Sequence, residues 1–364
     1  MEGYRRLDYE KVKIFAAKVF ESYGTSEKDS ETIAEILLES DLMGVESHGL
    51  QRLKMYCTGI EIGRIDPSGV PKVERETPVS AVINAGRAFG QAAGTMAMEM
   101  AMKKAKKNGM GMVVVNNSTH YGIAGHYAMM AAKEGLLGIS MTNTEALVLP
   151  TFGKKPMLGT NPIALAMPAK PYPLYIDMAT CVVPAGKMEV YDKKGLPVPA
   201  GWFLDENGED CTTPGTFISI RKNKTDGGLL PLGGAGKEYS GHKGYALAML
   251  VELMTAILSG GNTSDKVRKV PEEEGCCHMM LAIDYTMFGD QAAIEGKLSA
   301  YMEQIRGSAK AKGQERIYTH GESEFESREK KRQGGIFVND KTWSELWKIS
   351  GERKVSGEYL EIVG

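Results

Sequence analysis

From Pro78 onward, short β-like runs alternate with stretches of helical texture, and this alternation restricts the fold more than any other feature of the chain. Residues 79–84, 110–115, 136–143, 161–168 and 174–178 read as strands, with helices over 91–108 and 122–134. Strands interleaved with helices argue for a sheet covered by helices, an α/β body. Upstream the texture differs. Val12, Phe15, Ala16, Val19, Phe20 and Tyr23 form one apolar stripe at helical spacing, and Gly24 stops it. Ser26 followed by Asp29 resembles a capping box opening a second helix, and a third is expected to start near Ser47. The first 70 residues therefore read as a helical lobe, closed by the turn-rich stretch 63–71. Downstream, 195–236 is rich in Gly, Pro and polar residues and reads as long surface loops. A long helix (242–258), a strand (278–284), a helix (291–306) and an amphipathic helix (339–349) complete the expectation.

A chain of 364 residues suits two lobes, and its 42% apolar and 25% charged content supplies an ordinary core. A net charge of -2 offers no broad basic field to nucleic acid or an anionic membrane, so neither is an expected partner. The run Lys330, Lys331, Arg332 has acidic neighbours and reads as a solvated helix face. The cysteines at 57, 181, 211, 276 and 277 are odd in number and scattered, as expected of reduced thiols in a cytoplasmic protein. The N-terminus lacks an apolar signal core, and no stretch reaches the roughly 18 apolar residues a membrane span needs. The nearest, 241–261, is interrupted by His242, Lys243 and Glu252.

Generic motifs do not reveal a nucleotide enzyme. The first strand-to-helix turn of the body reads Gly86-Arg87-Ala88-Phe89-Gly90, which is not the dinucleotide fingerprint, and Gly109-Met110-Gly111 precedes a strand. No phosphate loop, nucleophile elbow, H-x-x-x-H or C-x-x-C pair occurs. Cys276-Cys277-His278 would alternate faces on a strand, so it reads as buried structure and no metal site is expected.

The chemistry gathers instead in small polar motifs. Ser47-His48-Gly49-Leu50-Gln51-Arg52 would, with Ser47 as N-cap, put His48 and Arg52 one turn apart on a helix face. A guanidinium fork at a helix start suits a carboxylate; a plain surface cap is the competing reading. His120 follows the strand ending at Val115, where an imidazole on a rigid base could exchange protons near neutral pH, or merely hydrogen-bond within a loop. His126 reads as structural. Thr142 to Glu145, Gly159 to Pro162 and Asp177 to Thr180 each set small polar groups beside a β-run. Ser240-Gly241-His242-Lys243-Gly244 opens a helix with free N–H groups and a lysine, an anion site in outline. His320-Gly321-Glu322 is too short to mean anything unaided.

Seven blocks, in order over nearly the whole chain, resemble the malate/L-lactate dehydrogenase family of the non-Rossmann type. They are GVESHGLQRL (44–53), NNSTHYGIAGHYA (116–128), LGTNPIALAMP (158–168), IDMAT (176–180), GGLLPLGG (227–234), SGHKGYALAMLVELMTAILSGG (240–261) and HGE (320–322). The resemblance implies an α+β fold: a non-Rossmann NAD(P)-binding mixed-sheet domain with a helical lobe built from both chain ends. On that basis 1–74 joined by 304–364 is the lobe and 75–303 the NAD(P)-binding body, in a homodimer with the active site near the subunit boundary. It implies that His120 is the acid/base, with Ser47, His48 and Arg52 lining the substrate pocket. It gives Thr144, Met178, Ala179, Thr180, Lys243, His320, Gly321 and Glu322 as cofactor contacts, the cofactor being NAD or NADP. The chain departs from the family at Thr144-Glu145 and at Pro184-Ala185-Gly186-Lys187, which lacks a common arginine. The expected reaction is hydride transfer between NAD(P) and a small 2-hydroxy acid, malate foremost. Lactate, sulfolactate or ureidoglycolate oxidation and cyclic-imine reduction are alternatives on the same site. A histidine-dependent lyase or hydrolase, or a silent nucleotide-binding protein, are alternatives from other classes.

Overall fold

The computed structural model describes residues 3–270 and 273–362. In chain order the N-terminal segment forms β1 (Tyr4–Leu7), α1 (Tyr9–Glu21), α2 (Glu27–Leu42) and α3 (Leu53–Glu61). Next come β2 (Lys72–Glu76), β3 (Ser80–Asn84), α4 (Gly90–Asn108), β4 (Met110–Ser118), α5 (Ala124–Lys133) and β5 (Leu137–Thr142). Then come β6 (Ile163–Met167), β7 (Leu174–Met178), α6 (Ala185–Lys193), β8 (Phe203–Leu204), α7 (Pro214–Asn223), β9 (Gly228–Leu229) and α8 (Gly241–Glu252). The chain ends in β10 (Cys276–Ile283), α9 (Gln291–Arg306), α10 (Glu322–Gly334), β11 (Ile336–Asn339) and α11 (Asp340–Arg353). The whole is a mixed α/β structure.

The stripe of α1 does what its spacing demands: Val12, Phe15, Ala16, Val19 and Phe20 are buried. Ser26 caps α2, its Oγ accepting from the Asp29 N–H at 3.1 Å. These helices share one core with Ile336, Val338, Leu346, Ile349 and Leu360, so both chain ends contribute to it. Antiparallel pairing of β1 with β11 joins the ends directly.

Seven strands form the main sheet in the order β2-β3-β4-β10-β5-β6-β7. Only β3 and β4 run parallel; every other neighbouring pair is antiparallel. Alanine-rich α4 and α5 pack closely on one face around Ala93, Ala97, Tyr127 and Ala128. On the other face Val114, Met141 and Met279 meet Val251 of α8. Because β4, β5 and β7 are related through antiparallel intermediates, all three point the same way. Their C-terminal ends open on one edge, where loops can present side chains from a rigid base.

Sequence reading misjudged several places. The stretch 195–236 is not all surface loop: α7, β8 and β9 lie in it, and Phe203, Phe217 and Leu229 share a small core with Val148 and Met188. β8 and β9 are two residues each, and α7 buries only Pro214, Phe217 and Ile220, so no clear apolar period marks them. Strands β1 and β11 find partners only at the opposite chain end, and exposed β2 gives no alternation. The 242–258 helix loses its register at Leu253, where five residues (Leu253–Ile257) wind as a π-helix. Lys331 is half-buried rather than solvated, its Nζ donating to the Asp41 carbonyl at 2.8 Å.

A charged contact ties α2 to α5 and α10. Glu39 of α2 meets His126 of α5, both nearly buried, with Arg328 of α10 at 3.8 Å. Burial alone would raise the Glu39 carboxyl, but His126, Lys133 and Arg328 outweigh it and hold it at about 2 against an ordinary 4.5. A depressed carboxyl contributes stability above its unfolded value that is lost as pH falls toward its folded one. Glu39→Gln should therefore lower stability near neutrality by about 2–4 kcal/mol. Its unfolding curve should then change less than the parent's between pH 4.5 and 2, which denaturant titration at several pH values checks.

Candidate active site

The segment 46–52 is not the capped helix its sequence suggests. It makes two short 3-10 turns, Glu46–His48 and Leu50–Arg52, with Gly49 extended between them, and α3 begins only at Leu53. Ser47 caps nothing; its Oγ contacts His48 Nδ1 at 3.0 Å. The break has a cause in Asp41, whose buried carboxylate accepts the Leu50 N–H at 2.7 Å. A Cβ on Gly49 would lie 2.1 Å from that carboxylate, so only glycine fits. Arg52 is fixed by its Nε, which donates to the Ser47 carbonyl at 2.5 Å. One terminal nitrogen lies 3.6 Å from where a Gly186 Cβ would stand, so the start of α6 closes over Ser47 and Arg52.

His120 leaves the end of β4 on a stapled loop. The buried Thr119 hydroxyl accepts the Gly90 N–H (2.9 Å) and donates to the Ala88 carbonyl (3.2 Å). On the other side Asp177 accepts the Gly125 N–H at 2.7 Å, anchoring the start of α5. The loop sets the His120 ring against His48, centroids 5.4 Å apart and 26° from parallel. The turn after α2 and the loop after β4 thus each give one imidazole. Burial and the neighbouring Arg52 charge bring His48 down to about 4. Burial also depresses His120 well below its ordinary value, helped by His48, Arg52, Arg268 and His278. Both rings are neutral bases at neutral pH, beside a guanidinium.

Tyr56, which sequence reading missed, completes the cluster: its hydroxyl lies 2.7 Å from His120 Nδ1. A signal existed in its spacing, one turn beyond Arg52 on α3, but an apolar-looking aromatic gives no hint of its partner.

A second group of residues forms a continuous cradle on the same sheet edge. Thr144 Oγ1 accepts the Thr160 N–H (3.0 Å), and the Thr160 carbonyl accepts the Thr180 N–H (3.0 Å). The Thr180 carbonyl in turn accepts the Leu232 N–H (2.9 Å). Leu232 presses on the first turn of α8, where a Cβ on Gly244 would lie 2.3 Å from its carbonyl oxygen. Thr144, Thr180 and the helix start carrying exposed Lys243 are thus joined through shared neighbours, with Met178 39% exposed and Ala179 half-buried between. Beside this path a cavity of 490 Å³ is lined by Thr151, Phe152, Pro231, Gly234 and Gly236 among others. The Thr151 hydroxyl is buried there without a partner among the described residues. A polar cradle, a lysine at a helix N-terminus and an orphaned donor fit a phosphate-bearing dinucleotide. Glu145, next in the chain to Thr144, is ion-paired with Arg221 and Arg268, the latter at 3.4 Å.

His320, Gly321 and Glu322 stand apart. The His320 carbonyl accepts the Tyr175 N–H (3.2 Å), which places it about 10 Å back along β7 from Met178. Glu322 is buried, its oxygens engaged by Arg306 (2.7 Å), Arg316 (2.9 Å) and Thr319. His278 and Cys277 are buried in the sheet, His278 bonding Ser118 and Thr142 at 2.8 Å each. Among the described residues no group of His, Cys, Asp and Glu could hold a metal, and no helix is long and apolar enough to cross a membrane.

Two neutral imidazoles, a fixed guanidinium and an adjoining polar cradle are groups that could serve acid–base chemistry on a small anion. The chain belongs to the malate/L-lactate dehydrogenase family, whose model matches residues 7–347, and it is a dehydrogenase. It is 43% identical to a malate dehydrogenase of Pyrococcus abyssi over 362 residues, 99% of this chain and 98% of the relative. An L-sulfolactate dehydrogenase of Methanocaldococcus jannaschii is 33% identical over 359 residues, 98% of this chain and 99% of the relative. The crystal structure of malate dehydrogenase from Entamoeba histolytica matches with a TM-score of 0.94 at 35% identity, covering 97% of this chain and 99% of that one.

Proposed function

We propose that the protein interconverts a small 2-hydroxy acid, malate foremost, and its 2-keto acid, using a nicotinamide dinucleotide. The observation that carries this reading is the meeting of His120 and His48 beside Arg52, on the sheet edge that also bears the cradle. Arg52 binds the C1 carboxylate and so fixes the reacting carbon. His120 takes the hydroxyl proton in oxidation and returns it in reduction, while His48 bonds the same oxygen or orients the acid. Ser47 steadies His48. The bound dinucleotide supplies the hydride chemistry. Thr144, Met178, Ala179, Thr180 and Lys243 would hold it; the separate 320–322 segment fits a role in shaping the edge of β7. In domain terms, 1–74 with 304–364 carries the carboxylate anchor, and 75–303 carries His120 and the dinucleotide.

A homodimer fits the surface. Met249, Leu250, Leu253, Ile257 and Leu258 are each 41–57% exposed, an apolar face on α8 and its π-helical extension suited to a second copy.

Nicotinamide absorbance, followed with NADH and NADPH against oxaloacetate, pyruvate, 3-sulfopyruvate and a cyclic imine acid, tests the assignment. Oxaloacetate should be turned over fastest; no turnover of any keto acid would sink it. Lys243→Ala should raise the KM for the dinucleotide at least several-fold and affect keto-acid affinity less. A change confined to the keto-acid KM would remove Lys243 from the cradle.

A further inference from the structure

We propose that Tyr56 is a positioning residue that holds the proton on His120 Nδ1, an inference that rests on the acid–base reading above. Among the described residues two groups reach that nitrogen: the Tyr56 hydroxyl at 2.7 Å and the Gly122 N–H at 3.3 Å. An amide N–H can only donate, so alone it selects a bare Nδ1, and the neutral ring then carries its proton on Nε2. That form is wrong for oxidation. To accept the substrate's hydroxyl proton Nε2 must be bare, which puts the ring's proton on Nδ1. After the transfer both nitrogens carry hydrogen, and in reduction Nε2 returns its proton to the substrate oxygen as hydride arrives at carbon. In both working states Nδ1–H needs an acceptor, and the phenolic oxygen is the group in reach able to accept.

The surroundings suit this role. Tyr56 is fully buried and packed by Phe20 and Phe89, ring centroids 6.2 Å away in each case, so its hydroxyl has little freedom. The Gln91 amide lies beside it, fully buried, with neither its oxygen nor its nitrogen otherwise bonded. The Gln91 Oε1 can accept a hydrogen bond from the phenolic O–H while the phenolic oxygen accepts from His120. Burial raises Tyr56 above its ordinary value, so it keeps its proton; Glu274 adds to the rise, and Gln91, Arg52 and Arg268 oppose it. The charged and titratable groups bearing on His120 are His48, Arg52, Arg268 and His278, all of which disfavour the imidazolium. Tyr56 is the counterweight that stabilises it by hydrogen bonding.

Tyr56→Phe keeps the ring and removes only the hydroxyl. At saturating dinucleotide, kcat/KM for the keto acid and for the hydroxy acid should both fall about 10–100-fold. The factor should be the same in the two directions, because both pass through one transition state. The KM for the dinucleotide should not move. Keto-acid reduction needs protonated His120, so kcat/KM declines as pH rises through that group's pKa. In the variant the imidazolium has lost an acceptor, and this limb should shift to lower pH. A thermal melt confirms the fold, and Gln91→Leu should shift the limb the same way with a smaller loss. A folded Tyr56→Phe enzyme with near-parent kcat/KM, or an unshifted limb in both variants, would overturn the assignment. A parent inactive on every keto acid would bring down the functional reading and this inference together; an active parent beside an unaffected variant would bring down only the inference.

Discussion

His120→Ala should lower kcat by roughly 10²–10⁴-fold while dinucleotide binding stays close to the parent's. The expectation follows from position. His120 sits on the loop stapled by Thr119 between β4 and α5, and its ring is one of two imidazoles facing each other at 5.4 Å. None of the cradle contacts from Thr144 to Lys243 runs through it. The variant therefore removes proton transfer without loosening the residues assigned to the dinucleotide. Binding is read by quenching or transfer of reduced-nicotinamide fluorescence, and turnover by absorbance. Near-parent turnover would transfer the acid–base role to His48, the one other imidazole in the cluster. A double variant then decides between roles: if the two histidines act as a unit, losses from the single changes will not add.

Arg52 decides the class of substrate, and its replacement should have the second-largest effect. Arg52→Ala should raise the keto-acid KM by about 10–150-fold, the range expected when a charge-assisted hydrogen bond is lost. Arg52→Lys should fall between, since lysine keeps the charge but loses the planar two-point fork. The dinucleotide should bind normally to both. The structure adds a second role that the experiment must separate, because Arg52 Nε also holds the Ser47 carbonyl at 2.5 Å. Offering a substrate whose C1 carboxylate is replaced by a neutral amide makes the separation. If Arg52 is the anchor, Arg52→Ala will cripple turnover of the acid and barely change that of the amide. Equal losses on both substrates would make Arg52 a support for the 46–52 turns.

Much of this protein can be read locally. The stripe from Val12 to Phe20 determines a helix because burial of one face needs no distant information. The same holds for the alternating strands and helices from 80 to 142, which are long and separated by clear stops. His48, Arg52, Lys243 and His120 stand out because polar motifs bordered by glycine are visible without a fold, whereas Thr144 and Thr180 are singled out only by the family resemblance. What the sequence could not decide was who meets whom. The pairing of β1 with β11, the small core under 195–236 and the β7 position of His320 depend on partners far away in the chain. The 46–52 segment shows the limit most clearly: its residues were legible, but Asp41 at the end of α2 fills the space a helix would need there. Likewise Tyr56 reads as one more core aromatic until the fold brings its hydroxyl to His120 on the loop after β4. Periodicity and capping are properties of neighbours in sequence, so residues alone determined them. The depression of His48 and His120, and the joining of two imidazoles with one guanidinium, are properties of neighbours in space, and only the tertiary fold set them.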